Sequence, residues 1–183
     1  SNLDDDLLVA SWERYSSYFL VQTKQDDILS KKESEYQTIF LQELFGKCLD
    51  YTLDSANISE QNLFREYKNQ TDSKQADGAI KIEGEVVCVI ELKSSKTKEL
   101  SKIEDQAFGY LTAHPNCKYV VTSNFRKLRF YIQNKTEFEE FDLFNLSEER
   151  FRMLWLCLSF NSISSNLPLE LKNRSLVNEE QTT

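Results

Sequence analysis

Two runs rich in Ile and Val, 77–82 and 86–93, flank Glu83-Gly84-Glu85, and this pattern reads as a β-hairpin. No other stretch restricts the fold as tightly, because alternate residues of a strand share a face. The even positions Ile80, Ile82, Val86, Cys88, Ile90 and Leu92 are all apolar, while Asp77, Lys81, Glu91 and Lys93 fall on odd positions. If both even sets lie on one buried face, the turn must be the three residues Glu83 to Glu85. A two-residue turn slips the register by one and sends the apolar sets to opposite faces. The three-residue register pairs Ile82 with Val86 and Ile80 with Cys88, and continued outward it sets Asp77 opposite Glu91.

Around the hairpin the chain alternates helical and strand patterns. Residues 4–24 and 28–53 show helical spacing, the second with Tyr36, Phe40, Leu41, Leu44, Phe45, Cys48 and Leu49 on one side. A polar segment from Asp54 to Gln61 precedes a short strand from Leu63 to Tyr67. Ser101 and Glu104 form a capping-box signature that opens a helix through Tyr110, which ends near His114-Pro115. Strands are expected from Lys118 to Ser123, from Leu128 to Gln133, and at an edge from Phe138 to Leu143. Ser147 caps a helix running to about Phe160, and the tail beyond Leu171 is polar and reads as loose. The order predicts an α/β fold, α+β by the stricter definition, with a central mixed β-sheet flanked by helices. Residues 1–27 form an N-terminal helix, 28–172 the domain proper, and 173–183 a tail or linker.

Composition narrows the chemistry. The chain has 22 Lys plus Arg against 30 Asp plus Glu, a net charge of -8, so its binding to a polyanion needs a cation or another domain to supply positive charge. One histidine, His114, rules out HExxH peptidases and Cys2His2 fingers; its place before a proline suits a polar helix cap better than a catalytic base. Cys48, Cys88, Cys117 and Cys157 lie far apart in apolar stretches and read as reduced core residues of a cytoplasmic protein. No run approaches the roughly 18 apolar residues of a membrane span.

Opposed residues on one face of an antiparallel pair have Cβ atoms roughly 4.5–5.5 Å apart. Two carboxylates at that separation repel, and a divalent cation resolves the conflict, since Mg²⁺ takes oxygen ligands at about 2.0–2.1 Å and keeps several water positions. Lys93, two residues past Glu91 on the same face, is placed to orient a water or touch a phosphate oxygen. Asp77, Glu91 and Lys93 thus compose a compact site for metal-assisted phosphodiester hydrolysis. Charged residues on a strand are also commonly a solvated outer face, and geometry alone leaves both readings open.

Asp77, followed after thirteen residues by Glu91-Leu92-Lys93, resembles the PD-(D/E)xK nuclease superfamily. Upstream, Lys32-Glu33-Ser34-Glu35 opens an amphipathic helix that is similar to the glutamate-bearing first core helix of that superfamily. Downstream, Gln106 to Tyr110 resembles its QxxxY element. The phrases KESEYQTIFLQELF, QADGAI, VIELKSSKT, KIEDQAFGYL, CKYVVTSNFRKLRFYI and LPLELK narrow the likeness to the N-terminal nuclease domain of type IIG and related single-chain restriction-modification enzymes, over about residues 28–172.

That resemblance implies a restriction-endonuclease-like core and an Mg²⁺-dependent endonuclease acting on double-stranded DNA, with Mn²⁺ as a substitute ion and 5′-phosphate ends as product. It implies Asp77, Glu91 and the Leu92 backbone carbonyl as metal ligands and Lys93 as the residue that positions or activates water. Glu33 or Glu35 completes the site; helical phase favours Glu33, which shares a side with Gln37, Phe40 and Leu44. Gln106 and Tyr110 are implied to contact the DNA backbone. An S-adenosylmethionine-dependent methyltransferase is implied only downstream of Thr183, and a transient homodimer would cut both strands. The family's proline is Ala76 here, which loses a stiffener but no ligand. Lys93, Lys96, Lys98 and Lys102 give a local basic patch. The competing expectation is a catalytically silent DNA-docking or scaffold domain, and a junction- or transposition-type nuclease of the same superfamily is a third.

Overall fold

The computed structural model describes the backbone of residues 2–182 and the side chains of residues 3–175. Helices α1 (Asn2–Phe19), α2 (Gln22–Ser30) and α3 (Glu33–Phe40) precede strands β1 (Leu63–Lys68), β2 (Gln75–Ile82) and β3 (Glu85–Leu92). Helix α4 (Glu104–Gly109) lies between β3 and the next three strands, β4 (Tyr119–Ser123), β5 (Lys127–Ile132) and β6 (Phe138–Asp142). Helices α5 (Glu148–Leu158), α6 (Phe160–Ser164) and α7 (Leu167–Thr182) follow. The strands form one sheet in sequence order, β1 to β6, antiparallel throughout except for the parallel pair β3–β4. A parallel pair needs a crossover, and the segment carrying α4 supplies it. This is the expected mixed sheet flanked by helices, an α+β fold consistent with a restriction-endonuclease-like core.

The hairpin keeps the expected pairing where the site lies and departs from it at the tip. Ile80 pairs with Cys88, Ala79 with Val89 and Gly78 with Ile90, but Lys81 pairs with Val86 and Ile82 with Glu85. The turn is therefore two residues, Glu83 (φ 52°) and Gly84 (φ 82°), the positive-φ pair that the twist of a two-residue hairpin favours. Val87 is left over as a bulge, which restores the register that the shorter turn would have slipped. As a result Val86 does not join the even-numbered set but sits on the opposite face beside Val89.

Neither face of the sheet is open. Ile80, Cys88, Ile90 and Leu92 pack with Tyr119, Val121, Phe130 and Phe141 against α1, α2, α3, α5 and α6, through side chains such as Tyr15, Phe19, Ile28, Phe40, Phe151 and Leu154. On the reverse, Ala76, Ala79, Val89, Val120 and Tyr131 are covered by Ala107, Tyr110 and Cys117. The N-terminal helices share the main core: the Tyr15 hydroxyl donates to the Leu143 carbonyl at 2.6 Å.

Several local expectations shift. The first helical stretch breaks at Leu20-Val21, and α2 ends at Ser30, so that α3 begins at Glu33 rather than at 28; neither break carries the Pro or Gly that would mark it. Past Phe40 the helix widens into a π-turn, Leu41–Gly46, with Lys47 N–H donating to Gln42 O at 2.9 Å; the wider turn keeps Leu41, Leu44 and Phe45 all buried. Ser101 does not cap α4; it lies inside a 3₁₀ turn, Leu100–Ile103, and α4 starts after Ile103. Ser147 does cap α5, accepting from Arg150 N–H. The segment after Leu171 continues α7 to Thr182; Thr183 lies outside the described residues. All four cysteines are free thiols, three buried and Cys157 half-buried. His114 ends the 3₁₀ turn after α4, its Nε2 2.6 Å from Asn69 Oδ1. No helix is long and apolar enough to cross a membrane among the described residues.

Candidate active site

Asp77 and Glu91 come from β2 and β3 on the face that α4 covers. The register that pairs Gly78 with Ile90 sets them side by side one step further on. Glu91 is 2% exposed and Asp77 is half-buried, so these acids do not form a solvated outer face. The Leu92 N–H donates to Asp77 Oδ2 at 2.7 Å, which locks the Asp77 carboxylate over the end of β3. Glu91 Oε2 is buried and has no hydrogen-bond partner.

The electrostatics follow from that crowding. Burial pushes the Glu91 carboxyl up to about 8, with Asp77 adding repulsion and Lys93 opposing the rise. Asp77 is raised too, by burial first; the Leu92 N–H opposes this by stabilising the anion, while nearby Glu33 adds to it. Lys93 is half-buried just past β3, its backbone N–H continuing the parallel ladder to Ser123 O at 2.9 Å. Its ammonium acts on both carboxylates.

Helix α3 brings in a third acid. Gln37 Nε2 donates to Glu33 Oε1 at 2.9 Å and lies 3.4 Å from Asp77 Oδ1, so one amide links the helix glutamate to the strand aspartate. Glu35 is exposed and turns back toward the Lys32 N–H at 3.4 Å. The glutamate that approaches the pair is therefore Glu33. Among the described residues no three His, Cys, Asp or Glu side chains group closely enough to hold a metal ion by themselves; the donors offered together are the carboxylates of Asp77 and Glu91.

Gln106 and Tyr110 play unequal parts. Tyr110 is buried, its hydroxyl donating to the Gln75 carbonyl and lying against Glu91. Gln106 is exposed, its Nε2 3.4 Å from the Tyr110 oxygen. Gln106 thus presents polar surface, while the Tyr110 hydroxyl is engaged with the Gln75 carbonyl. A cleft of 350 Å³ is lined by Lys74, Gln75, Asp105, Gln106, Gly109 and Tyr110, and neither carboxylate of the pair lines it. A larger one of 610 Å³ lies at the far tip of the hairpin, around Lys81 and Gly84, and has no part in this cluster. Lys96, Lys98 and Lys102 are exposed on the segment after β3.

Sequence reasoning missed Gln37 as a member of the site. Its signal was present as spacing, since residues four apart on a helix are neighbours. It also missed the residues that continue the row across the sheet. Glu91 pairs with Thr122, Thr122 with Arg129, and Arg129 with Glu140. Arg129 closes this row through Glu140 (Nε to Oε1, 2.9 Å) and Glu104 of α4 (3.3 Å). The β3–β4 pairing joins residues 31 positions apart, and no local pattern announces it.

No family model matches the chain, and no curated protein matches it. A solved structure described as a cryoEM structure of a DrdV–DNA complex is similar to it, with a TM-score of 0.49 and 18% identity, covering 85% of this chain and 97% of that one.

Proposed function

We propose that this chain is an Mg²⁺-dependent endonuclease domain that hydrolyses phosphodiester bonds of double-stranded DNA, the cleavage module of a restriction-modification polypeptide. The observation that carries the reading is the side-by-side placement of Asp77 and Glu91, with a buried, unpartnered Glu91 oxygen. A pair of acids whose carboxyls are both raised by burial, with the charge of Asp77 adding to the rise of Glu91 and that of Glu33 to the rise of Asp77, is stabilised by a hard divalent cation. Mg²⁺ is ordinarily held by one or two carboxylates together with substrate phosphate and water, which suits a two-carboxylate donor set. Asp77, Glu91 and the Leu92 carbonyl are the proposed ligands, and Mn²⁺ is the proposed substitute.

When bound, the ion supplies Lewis acidity toward the phosphate and the attacking water. The chain's own residues do the rest. The Leu92 N–H fixes Asp77, Gln37 keeps Glu33 turned toward the pair, and Tyr110 pins α4 to the start of β2. Lys93 donates a hydrogen bond to the incoming water or to a phosphate oxygen, which orients attack and offsets developing negative charge. Water oxygen bonds to phosphorus as the P–O3′ bond breaks; the 3′ oxygen leaves with a proton and the 5′ phosphate stays on the other fragment. Gln106 and the exposed lysines after β3 are the proposed backbone contacts.

Nicking of supercoiled plasmid in Mg²⁺ by the wild-type protein, E91A and K93A tests this reading. Loss of nicking in both variants, with unchanged circular dichroism, is expected. Nicking that survives both changes rules the reading out, and well-folded wild-type protein that never nicks and takes up no divalent ion favours a silent docking domain.

A further inference from the structure

Thr122 is the penultimate residue of β4, fully buried, and its Oγ1 has no hydrogen-bond partner. A buried hydroxyl left unpaired is destabilising, and an apolar residue of the same shape avoids that cost. Valine fits such a strand well, and the two residues before it are Val120 and Val121. What Thr122 does have is a neighbour with the complementary defect. Its register partner across the parallel β3–β4 pair is Glu91, whose buried Oε2 also lacks a partner. Both side chains point to the α4-covered face, the one that carries Val89 and Val120. Asp77 and the Tyr110 hydroxyl also lie against the Glu91 carboxylate, and Thr122 adds a buried donor from the neighbouring strand. Tyr131, whose buried hydroxyl lies against Thr122 and Arg129, backs the row.

We propose that Thr122 is a positioning residue for Glu91: neither Oγ1 nor Oε2 is paired in this structure, and with a cation bound the hydroxyl would close onto Oε2 and hold the other carboxylate oxygen toward Asp77. The inference rests on the reading of Asp77 and Glu91 as cation ligands and adds the group that aims one of them. Groups that orient a metal ligand typically govern affinity by about 10- to 100-fold, and a donor held in a rigid strand does so without any change in the fold.

The experiment compares wild-type protein, T122V, T122S and T122A by Mn²⁺ titration followed by electron paramagnetic resonance, with thermal melting in the absence of divalent ions. T122V is expected to melt at or above the wild-type temperature yet bind Mn²⁺ about 10-fold or more weakly, while T122S retains wild-type affinity. That combination separates positioning from structure, since a purely structural role moves melting and leaves affinity alone. T122A, which also lacks the hydroxyl, must lose affinity as T122V does, and decides the matter if the valine variant fails to fold. Wild-type affinity in T122V or T122A overturns the inference alone. A wild-type protein that takes up no Mn²⁺ overturns the two-carboxylate reading and this inference with it.

Discussion

The backbone N–H of Leu92 donates to the Asp77 carboxylate at 2.7 Å, so the acid of β2 is anchored to the residue that directly follows the acid of β3. This bond presets the separation of the two carboxylates before any ion arrives. An amide at position 77 keeps an oxygen to accept the same N–H but carries no charge. D77N is therefore expected to preserve the fold and, by relieving repulsion on Glu91, to raise the metal-free melting temperature at pH 8 by about 2–4 °C, the shift that ~1 kcal/mol gives in a domain of this size. Differential scanning calorimetry reads this directly, and a melting temperature well below wild type counts against the repulsion argument.

Glu91 makes stability depend on pH in a definite direction. Its folded-state carboxyl is raised from 4.5 to about 8, so the folded protein holds the proton more tightly than the unfolded chain. The stability this confers is fully present below about 4.5 and is lost as pH rises through about 8. Metal-free melting temperatures should fall across that window, and E91Q should flatten the fall. A profile that rises with pH, or one that E91Q leaves unchanged, contradicts the assignment.

Gly78 sits between the site and the core face. A Cβ there would meet Ile90 Cδ1 at 3.2 Å and Ile90 Cβ at 3.4 Å, so Ile90 would have to shift beside Asp77 and Glu91 to accommodate it. G78A should cost ~1–3 kcal/mol by overpacking, measured as a lowered urea midpoint, and should weaken divalent-ion binding at the same time. By contrast, Gly84 has positive φ, and a Cβ added there would meet no atom within 4 Å. G84A should cost ~1 kcal/mol through backbone strain alone and leave ion binding intact.

Removing Gln37 cuts the link between α3 and the pair. Q37A takes away the amide that touches both Glu33 and Asp77 but fills no core position. Nicking rates in Mg²⁺ are expected to fall several-fold with little change in melting temperature. Equal rates for Q37A and wild type would show that Glu33 works without that bridge.

How much of this is legible in the sequence differs from residue to residue. The apolar alternation of Ile80, Cys88, Ile90 and Leu92 places Asp77 across from Glu91 because strand period is a local property of the chain. The turn is not legible, because a two-residue turn plus a bulge at Val87 gives the same outward register as a three-residue turn, and periodicity cannot tell them apart. Glu33 is separable from Glu35 by helical phase. Thr122 and Arg129 are invisible, since their place beside Glu91 arises from the parallel pairing across the α4 crossover. The inward turn of Tyr110 is hidden as well, since the Gln75 carbonyl that holds it comes from 35 residues away.

The central claim is that Asp77 and Glu91 share one divalent cation, and isothermal calorimetry of Mn²⁺ into wild-type, D77N and E91Q protein tests it most directly. The account predicts one ion bound per wild-type chain and loss of that event in both variants while they remain folded. Equal binding in all three, or no binding by folded wild-type protein, contradicts it.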